Sequence, residues 1–279
     1  MEVLDRFESS LLARRRVRLR AARGVRGGGR RGHAHHHRRR LQLQPVARPL
    51  DYDLIRESPK VLCGFSDITA LATATHAKTG LVTYSGPHFS TFSMERGLRY
   101  TLDDSDRCLM RDGLYEVEPA DHWSDEPWYL DRDNRELVPN PGYEVLNQEA
   151  RGTLLGGNLG TLALLFGRPY MTDLEGTILL LEDDEEIQPH HFDRTLQSLL
   201  DQRDFEGVRG IVLGRFQRAS NMNQKTLAEI VRSKPELDNI PVVANASFGH
   251  TTPAFTFPIG GTGALRAHAG KVGLRIKTH

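Results

Sequence analysis

The sequence predicts an α/β protein with a mainly parallel, helix-covered sheet. Two observations carry this: strand-like and helix-like patterns alternate through the second half of the chain, and helices of that length between strands favour parallel pairing. With 279 residues and 38% apolar content the chain can build a real core, as two ordinary domains or one large α/β unit.

Along the chain, residues 1–49 stand apart. RRRVRLRAARGVRGGGRRGHAHHHRRR has no helical or alternating apolar pattern and is dense in Arg, Gly and His. It reads as a basic arm, as a His-rich metal tract at His33, His35, His36 and His37, or as a segment not selected as protein at all, which is the reading adopted. From Leu50 the texture changes. VLCGF (61–65) predicts a short buried strand, and DITALATATHAKTG (67–80) a helix of small residues ending at Gly80. The stretch from about Asp103 to Asn147 is polar and aromatic and reads as a linker or long loop. Beyond it, TILLLE (177–182), VRGIVLG (208–214) and PVVANA (241–246) predict strands. The helix after the first of these shows one face of Phe192, Leu196, Leu199 and Leu200, and KTLAEIVRS (225–233) turns Leu227, Ile230 and Val231 inward. The expected division is 1–49 aberrant, 50–120 the remainder of an N-terminal domain, 121–150 linker or loop, and 151–279 a C-terminal domain.

The charge balance excludes one class of function. Residues 14–48 hold thirteen arginines and no acid, so the rest carries 24 basic against 36 acidic residues. Such a body is ill suited to phosphate backbones, which argues against nucleic acid as a partner. Two cysteines, Cys63 and Cys108, make no disulfide framework and fit a reducing compartment. The start, MEVLDRFESSLLARRR, puts charges where a signal peptide needs apolar residues, and no apolar run approaches the roughly 18 residues of a membrane span. A cytoplasmic protein with no membrane partner is expected.

Three short motifs can carry chemistry. In Gly64-Phe65-Ser66-Asp67 the serine falls between a strand and a helix N-terminus, where backbone N–H groups and the helix dipole favour developing negative charge. Ile68 stands where the G-x-S-x-G elbow has its second glycine, and a serine there also serves as an ordinary helix cap. Glu182 is the first polar residue after an apolar strand, where α/β sheets gather their ligands, while Asp184, Glu185 and Glu186 suit an acidic first turn of the next helix. His250 follows another strand, in Phe248-Gly249-His250-Thr251-Thr252-Pro253. The adjacent His190 and His191 would point apart, and no cluster has metal-ligand spacing, so neither a metal nor another cofactor is expected.

The chain order Ser, Glu, His supplies nucleophile, orienting carboxylate and general base. Together with YSGP (84–87), LLGGNLGTLALLFG (154–167), ILLLEDDEE (178–186), FDRTLQSLL (192–200), VRGIVLGRF (208–216) and FGHTTPAFTFPIGG (248–261), the GFSDITAL block resembles the successive blocks of LD-carboxypeptidases, the serine peptidase family S66, which includes the microcin C immunity peptidases. The resemblance runs from about Asp51 to the C-terminus. It implies a flavodoxin- or Rossmann-like N-terminal domain, a C-terminal α/β domain, an active site in the cleft between them and a homodimer. It implies Ser66 as nucleophile, Glu182 and His250 as its partners, and the Asp67 backbone N–H as an oxyanion donor. Asn158 is a candidate substrate contact. Trp123 and Trp128 could stack on a nucleobase, or serve only in packing.

The family's Gly-Gly-Tyr motif, source of a second oxyanion donor, has no counterpart ahead of Ser66, and its opening strand and turn are missing too. One permitted back-translation of RRLQLQPVAR (39–48), read one base later, gives Gly-Gly-Tyr-Ser-Ser-Asn-Arg-Leu-Leu. The expectation is a frameshifted segment. The implied activity is removal of a C-terminal D-amino acid from a cytoplasmic murein peptide in peptidoglycan recycling. Two alternatives remain: an immunity-type peptidase cleaving an aminoacyl nucleotide toxin, and an inactive remnant.

Overall fold

A computed structural model describes residues 47–131, 134–145, 149–268 and 271–279. Residues 42–279 form one compact unit. The arginine-rich segment, with His33, His35, His36, His37 and the proposed change of frame, lies outside the described residues, and everything below belongs to that unit.

Helix α1 (Tyr52–Glu57) is capped by Asp51, whose side chain accepts the Leu54 N–H. Strand β1 (Cys63–Gly64) leads through Ser66 into α2 (Ile68–Thr79), which stops at Gly80 in the left-handed conformation. Strand β2 (Thr83–Ser85) pairs parallel with β1. The small residues of α2 are explained by its tight seat: the Thr69 hydroxyl accepts the Asn158 N–H, and a Cβ on Gly157 would come within 2.4 Å of that hydroxyl.

The stretch expected to be linker is more structured than its composition suggests. Asp103 to Met110 completes α3 (Leu98–Met110), and β3 (Tyr115–Val117) follows. The helix was hidden because the residues it buries are Thr101, Asp104, Ser105 and Cys108, a polar face with no apolar rhythm to read. Among the described residues, three short strands come next: β4 (His122–Trp123), β5 (Val138–Pro139) and β6 (Glu144–Val145).

Then come β7 (Glu149–Asn158), α4 (Leu159–Ala163), β8 (Thr177–Glu182), α5 (Pro189–Leu200), β9 (Gly210–Gly214), α6 (Gln224–Arg232), β10 (Val242–Ala246), β11 (Phe257–Ile259), β12 (Thr262–His268) and β13 (Lys271–Thr278). Strands β7 to β10 are parallel neighbours, and β8 and β9 are buried at every position. Phe192, Leu196, Leu199 and Leu200 of α5 are buried as the periodicity predicts.

The large sheet is mixed, not mainly parallel. Its order is β3-β13-β12-β7-β8-β9-β10-β6, and β3, β13, β12 and β6 all pair antiparallel. The C-terminal hairpin buries Leu265, Ala267, Leu274 and Ile276 between more exposed residues, the alternation of a sheet with one solvated face. Strand β11 leaves this sheet to pair antiparallel with β2, so that β1, β2 and β11 form a second sheet. In that sheet β1 and β2 come from early in the chain and β11 from near its C-terminus. Two sheets linked by α2 and β11 bring the end of β1 close to the ends of β8 and β10.

Candidate active site

Ser66 is held in a conformation that few residues adopt. Its φ is 60°, in the left-handed region, although it has a Cβ. The turn is closed by the Ile68 N–H to Phe65 O at 3.3 Å and the Thr69 N–H to Ser66 O at 3.0 Å. Asp67 follows at the head of α2, and its carboxylate accepts the Thr161 hydroxyl at 3.4 Å. A strand ending in such a turn lifts the serine hydroxyl away from the backbone ladder and aims it outward.

Glu182 is the last residue of β8 and is 1% exposed. Its Oε2 lies 2.7 Å from Nδ1 of His250, while Oε1 is buried without a hydrogen-bond partner among the described residues. This contact depends on glycine. Gly249 has φ +91°, and a Cβ there would fall 2.3 Å from Oε2 of Glu182; a Cβ on Gly214 would fall 2.7 Å from the Cβ of Glu182. Burial disfavours the charged imidazole of His250, but the charge and hydrogen bond of Glu182, with Asp184 and Asp183 behind it, outweigh burial and raise its pKa. With Nδ1 facing a carboxylate, the proton sits on Nδ1 and Nε2 is left as the free base.

Phe65 joins the two halves. Its ring stacks on His88 at 4.3 Å and meets the edge of His250 at 5.1 Å. His88 also brings Nε2 within 3.3 Å of Phe65 N and 3.2 Å of Phe65 O, and burial holds its pKa down. The residue before the serine is thus gripped by one imidazole and touches the other.

The family models for the LD-carboxypeptidase N-terminal and C-terminal domains match residues 42–86 and 151–265, which contain Ser66, Glu182 and His250. The chain belongs to the LD-carboxypeptidase family. It is 49% identical to the provisionally named carboxypeptidase YocD of Bacillus subtilis over 235 residues, 84% of this chain and 72% of that one. It is 30% identical to a second Bacillus subtilis protein, provisionally named murein peptide carboxypeptidase, over 79% of this chain and 64% of that one. Among solved structures, an MccF-like protein from Bacillus anthracis superposes with a TM-score of 0.83 at 49% identity, over 85% of this chain and 73% of that one. MccF, the Escherichia coli microcin C7 self-immunity protein, in complex with glutamyl sulfamoyl guanosine, gives 0.73 at 28% identity, over 85% and 72%.

In this member of the family the remaining sequence-derived candidates fall in different places. Asn158 is buried at the end of β7, where its Oδ1 caps α4 through the Thr161 N–H and its Nδ2 donates to Asp183. Both ends of its amide are engaged in the framework. Asp183 also accepts the N–H groups of Gly160 and Asp184; burial, then the negative charge of Glu182, pushes its pKa up to about 6 against those donors. The guanidinium groups of Arg215 and Arg218 lie 4.7 and 4.8 Å from the ring centre of Trp123. Trp128 packs edge-on against Tyr129, whose side is half exposed. His190 and His191, expected to point apart, instead lie side by side at the start of α5 with ring centres 4.0 Å apart.

Sequence reading missed what fastens the histidine loop. Ser124 and Thr252 exchange both backbone hydrogen bonds, and buried Arg135 donates to the Thr252 hydroxyl at 2.8 Å and to Arg96 O. The Phe255 N–H closes the loop on Ser247 O at 2.7 Å. The polarity of residues 122–135 was the available signal, but composition alone does not give a partner.

Proposed function

We propose that the protein is a serine carboxypeptidase in which Ser66, His250 and Glu182 act as nucleophile, general base and orienting carboxylate. The observation that supports this most is the buried Glu182–His250 pair, 2.7 Å apart, beside a serine with φ 60° on a strand-to-helix turn. Nε2 of His250 takes the hydroxyl proton as Ser66 Oγ attacks the scissile carbonyl, and Glu182 stabilises the imidazolium. The Asp67 N–H, at the positive end of α2, supplies one donor to the oxyanion. Collapse of the tetrahedral adduct breaks the C–N bond, and His250 returns its proton to the leaving amine. Water then enters, loses a proton to His250 and attacks the acyl carbon; the ester bond to Ser66 Oγ breaks, His250 returns the proton to Oγ, and the acid leaves.

The substrate is a murein tetrapeptide that loses its terminal D-alanine in the cytoplasm during wall recycling, and the working form is a homodimer. The relative named for murein peptides supports this reading. A second reading, cleavage of an aminoacyl nucleotide, is supported by the likeness to MccF, whose solved structures include one with glutamyl sulfamoyl guanosine. Trp128 is then the aromatic surface offered to the base. Purified protein and its Ser66→Ala variant are incubated with the tetrapeptide and with an aminoacyl sulfamoyl nucleoside. Release of D-alanine that needs Ser66 supports the first reading. Cleavage confined to the nucleoside supports the second, and turnover by Ser66→Ala equal to wild type removes the serine mechanism.

A further inference from the structure

The nine-residue loop from Ser247 to Phe255 carries His250 and is closed by its own Phe255–Ser247 bond. Where it leaves the site it meets α3, which approaches with a polar face instead of an apolar one. Thr101 Oγ1 accepts the Ala254 N–H at 3.0 Å, Asp104 Oδ2 accepts the Thr256 N–H at 2.7 Å, and Ser105 Oγ bonds Thr256 Oγ1 at 2.9 Å. From β3, the Tyr115 hydroxyl reaches Thr256 O at 3.4 Å. Thr256 is fully buried, and a Cβ on Gly86, just past β2, would fall 2.7 Å from its methyl. The exit of the histidine loop is therefore fixed on three sides, by α3, by β3 and by the turn after β2.

Asp104 is the costly member of this set. It is 1% exposed, and the positive charge that opposes its burial is that of Arg107 on the same helix. A carboxyl group taken out of water at such a point is retained only where its bonds matter, since a threonine or an apolar residue would fill the space with less desolvation. What its bond fixes is the backbone at the end of the loop that holds His250 against Glu182.

We propose that Asp104 is a positioning residue for His250, acting through Thr256 and the loop closed by Ser247 and Phe255. The inference rests on the reading of His250 as general base. Catalysis depends on placement to within a fraction of an ångström, and a shift of about 1 Å can cost on the order of 100-fold.

The test uses the full chain and its Asp104→Ala and Asp104→Asn variants, with two readouts. The first is the NMR signal of the His250 Nδ1 proton, shifted downfield by Glu182, which needs no substrate. The second is kcat against KM on whichever substrate turns over. Asp104→Ala is expected to broaden or shift the His250 signal and to lower kcat about 10- to 100-fold with KM changed less than about 3-fold. Asp104→Asn, which still accepts the Thr256 N–H, is expected to restore both. Should Asp104→Ala not fold, Thr101→Val, which removes only the Ala254 bond, is expected to move the same signal to a smaller extent. A folded Asp104→Ala or Thr101→Val protein with lowered Tm but an unchanged His250 signal and unchanged kcat overturns the proposal. A moved His250 signal with no Ser66-dependent turnover leaves positioning intact and removes the serine-peptidase reading instead.

Discussion

His250 Nδ1 and Glu182 Oε2 are 2.7 Å apart only because residue 249 has no side chain. The Glu182 carboxylate occupies the space where a Cβ on residue 249 would stand, and the φ of +91° at Gly249 is one that a side chain would strain. Gly249→Ala is therefore expected to part the pair as well as strain the backbone. Loss of roughly 1–3 kcal/mol of stability, together with a kcat lowered at least tenfold, would be seen by thermal unfolding and steady-state kinetics. Wild-type kcat in Gly249→Ala would show that the contact is dispensable.

The Glu182 carboxylate raises the pKa of His250 against the effect of burial, which gives a pH signature. A general base works when neutral, so the rate should rise as pH climbs through this raised pKa. In Glu182→Gln the charge is gone, burial dominates, and the midpoint should move to lower pH. Its kcat should fall by about 10²–10⁴ with KM little changed, because the amide no longer fixes the tautomer or stabilises the imidazolium. A pH–rate profile whose acid limb stays in place in Glu182→Gln would separate the limb from His250.

Strain at Ser66 separates a nucleophile from an ordinary helix cap. A non-glycine residue in the left-handed region costs roughly 1–2 kcal/mol, so Ser66→Gly should stabilise the fold by up to about 1 kcal/mol while abolishing turnover. Ser66→Ala keeps the Cβ and should gain no such stability, with kcat down by about 10³ or more. If Ser66→Gly instead lowers Tm, the residue is acting as a cap.

Asp104 gives the stability a pH dependence of opposite sense to a salt-bridged acid. Burial, opposed by the Thr256 N–H and Arg107, lifts its pKa from 3.8 to about 7. The folded state therefore holds the proton more tightly than the unfolded chain, and the advantage present below pH 3.8 is lost as pH rises towards about 7. The full loss is on the order of 4 kcal/mol. Denaturation midpoints measured between pH 4 and 8 should fall less steeply for Asp104→Asn than for the parent. Parallel curves for the two proteins would mean that the carboxyl group is solvated.

How far the sequence disclosed these features depended on whether burial was apolar. TILLLE and the Phe192 face of α5 announced themselves because they bury hydrocarbon, and Ser66, Glu182 and His250 were marked by glycine and by strand ends. The polar face of α3 carries no such rhythm, and the bonds from Thr101, Asp104 and Ser105 to residues about 150 positions away cannot be read from spacing. Arg135 was hidden for the same reason. The C-terminal hairpin was missed although Leu265, Ala267, Leu274 and Ile276 alternate, because Gly and Ala between them weaken the period-two signal.

The stretch ahead of Leu50 yields the last expectation. The N-terminal family match begins at residue 42, inside RRLQLQPVAR, one permitted back-translation of which, read one base later, gives the Gly-Gly-Tyr motif that this sequence otherwise lacks. Among the described residues β1 is an edge strand, paired only with β2, and Val61, two residues ahead of it, is 60% exposed. An unpaired edge with apolar neighbours promotes association, and a missing oxyanion donor costs roughly 10²–10³ in rate. Restoring the alternate frame between Ser10 and Leu50 is therefore expected to raise soluble yield and to increase kcat by about two orders of magnitude or more. Both proteins are expressed side by side, their soluble fractions weighed, and their turnover compared on the tetrapeptide and on the aminoacyl nucleoside. Equal yield and equal kcat would mean that the arginine-rich segment is the authentic sequence, and that the second oxyanion donor comes from elsewhere in the chain.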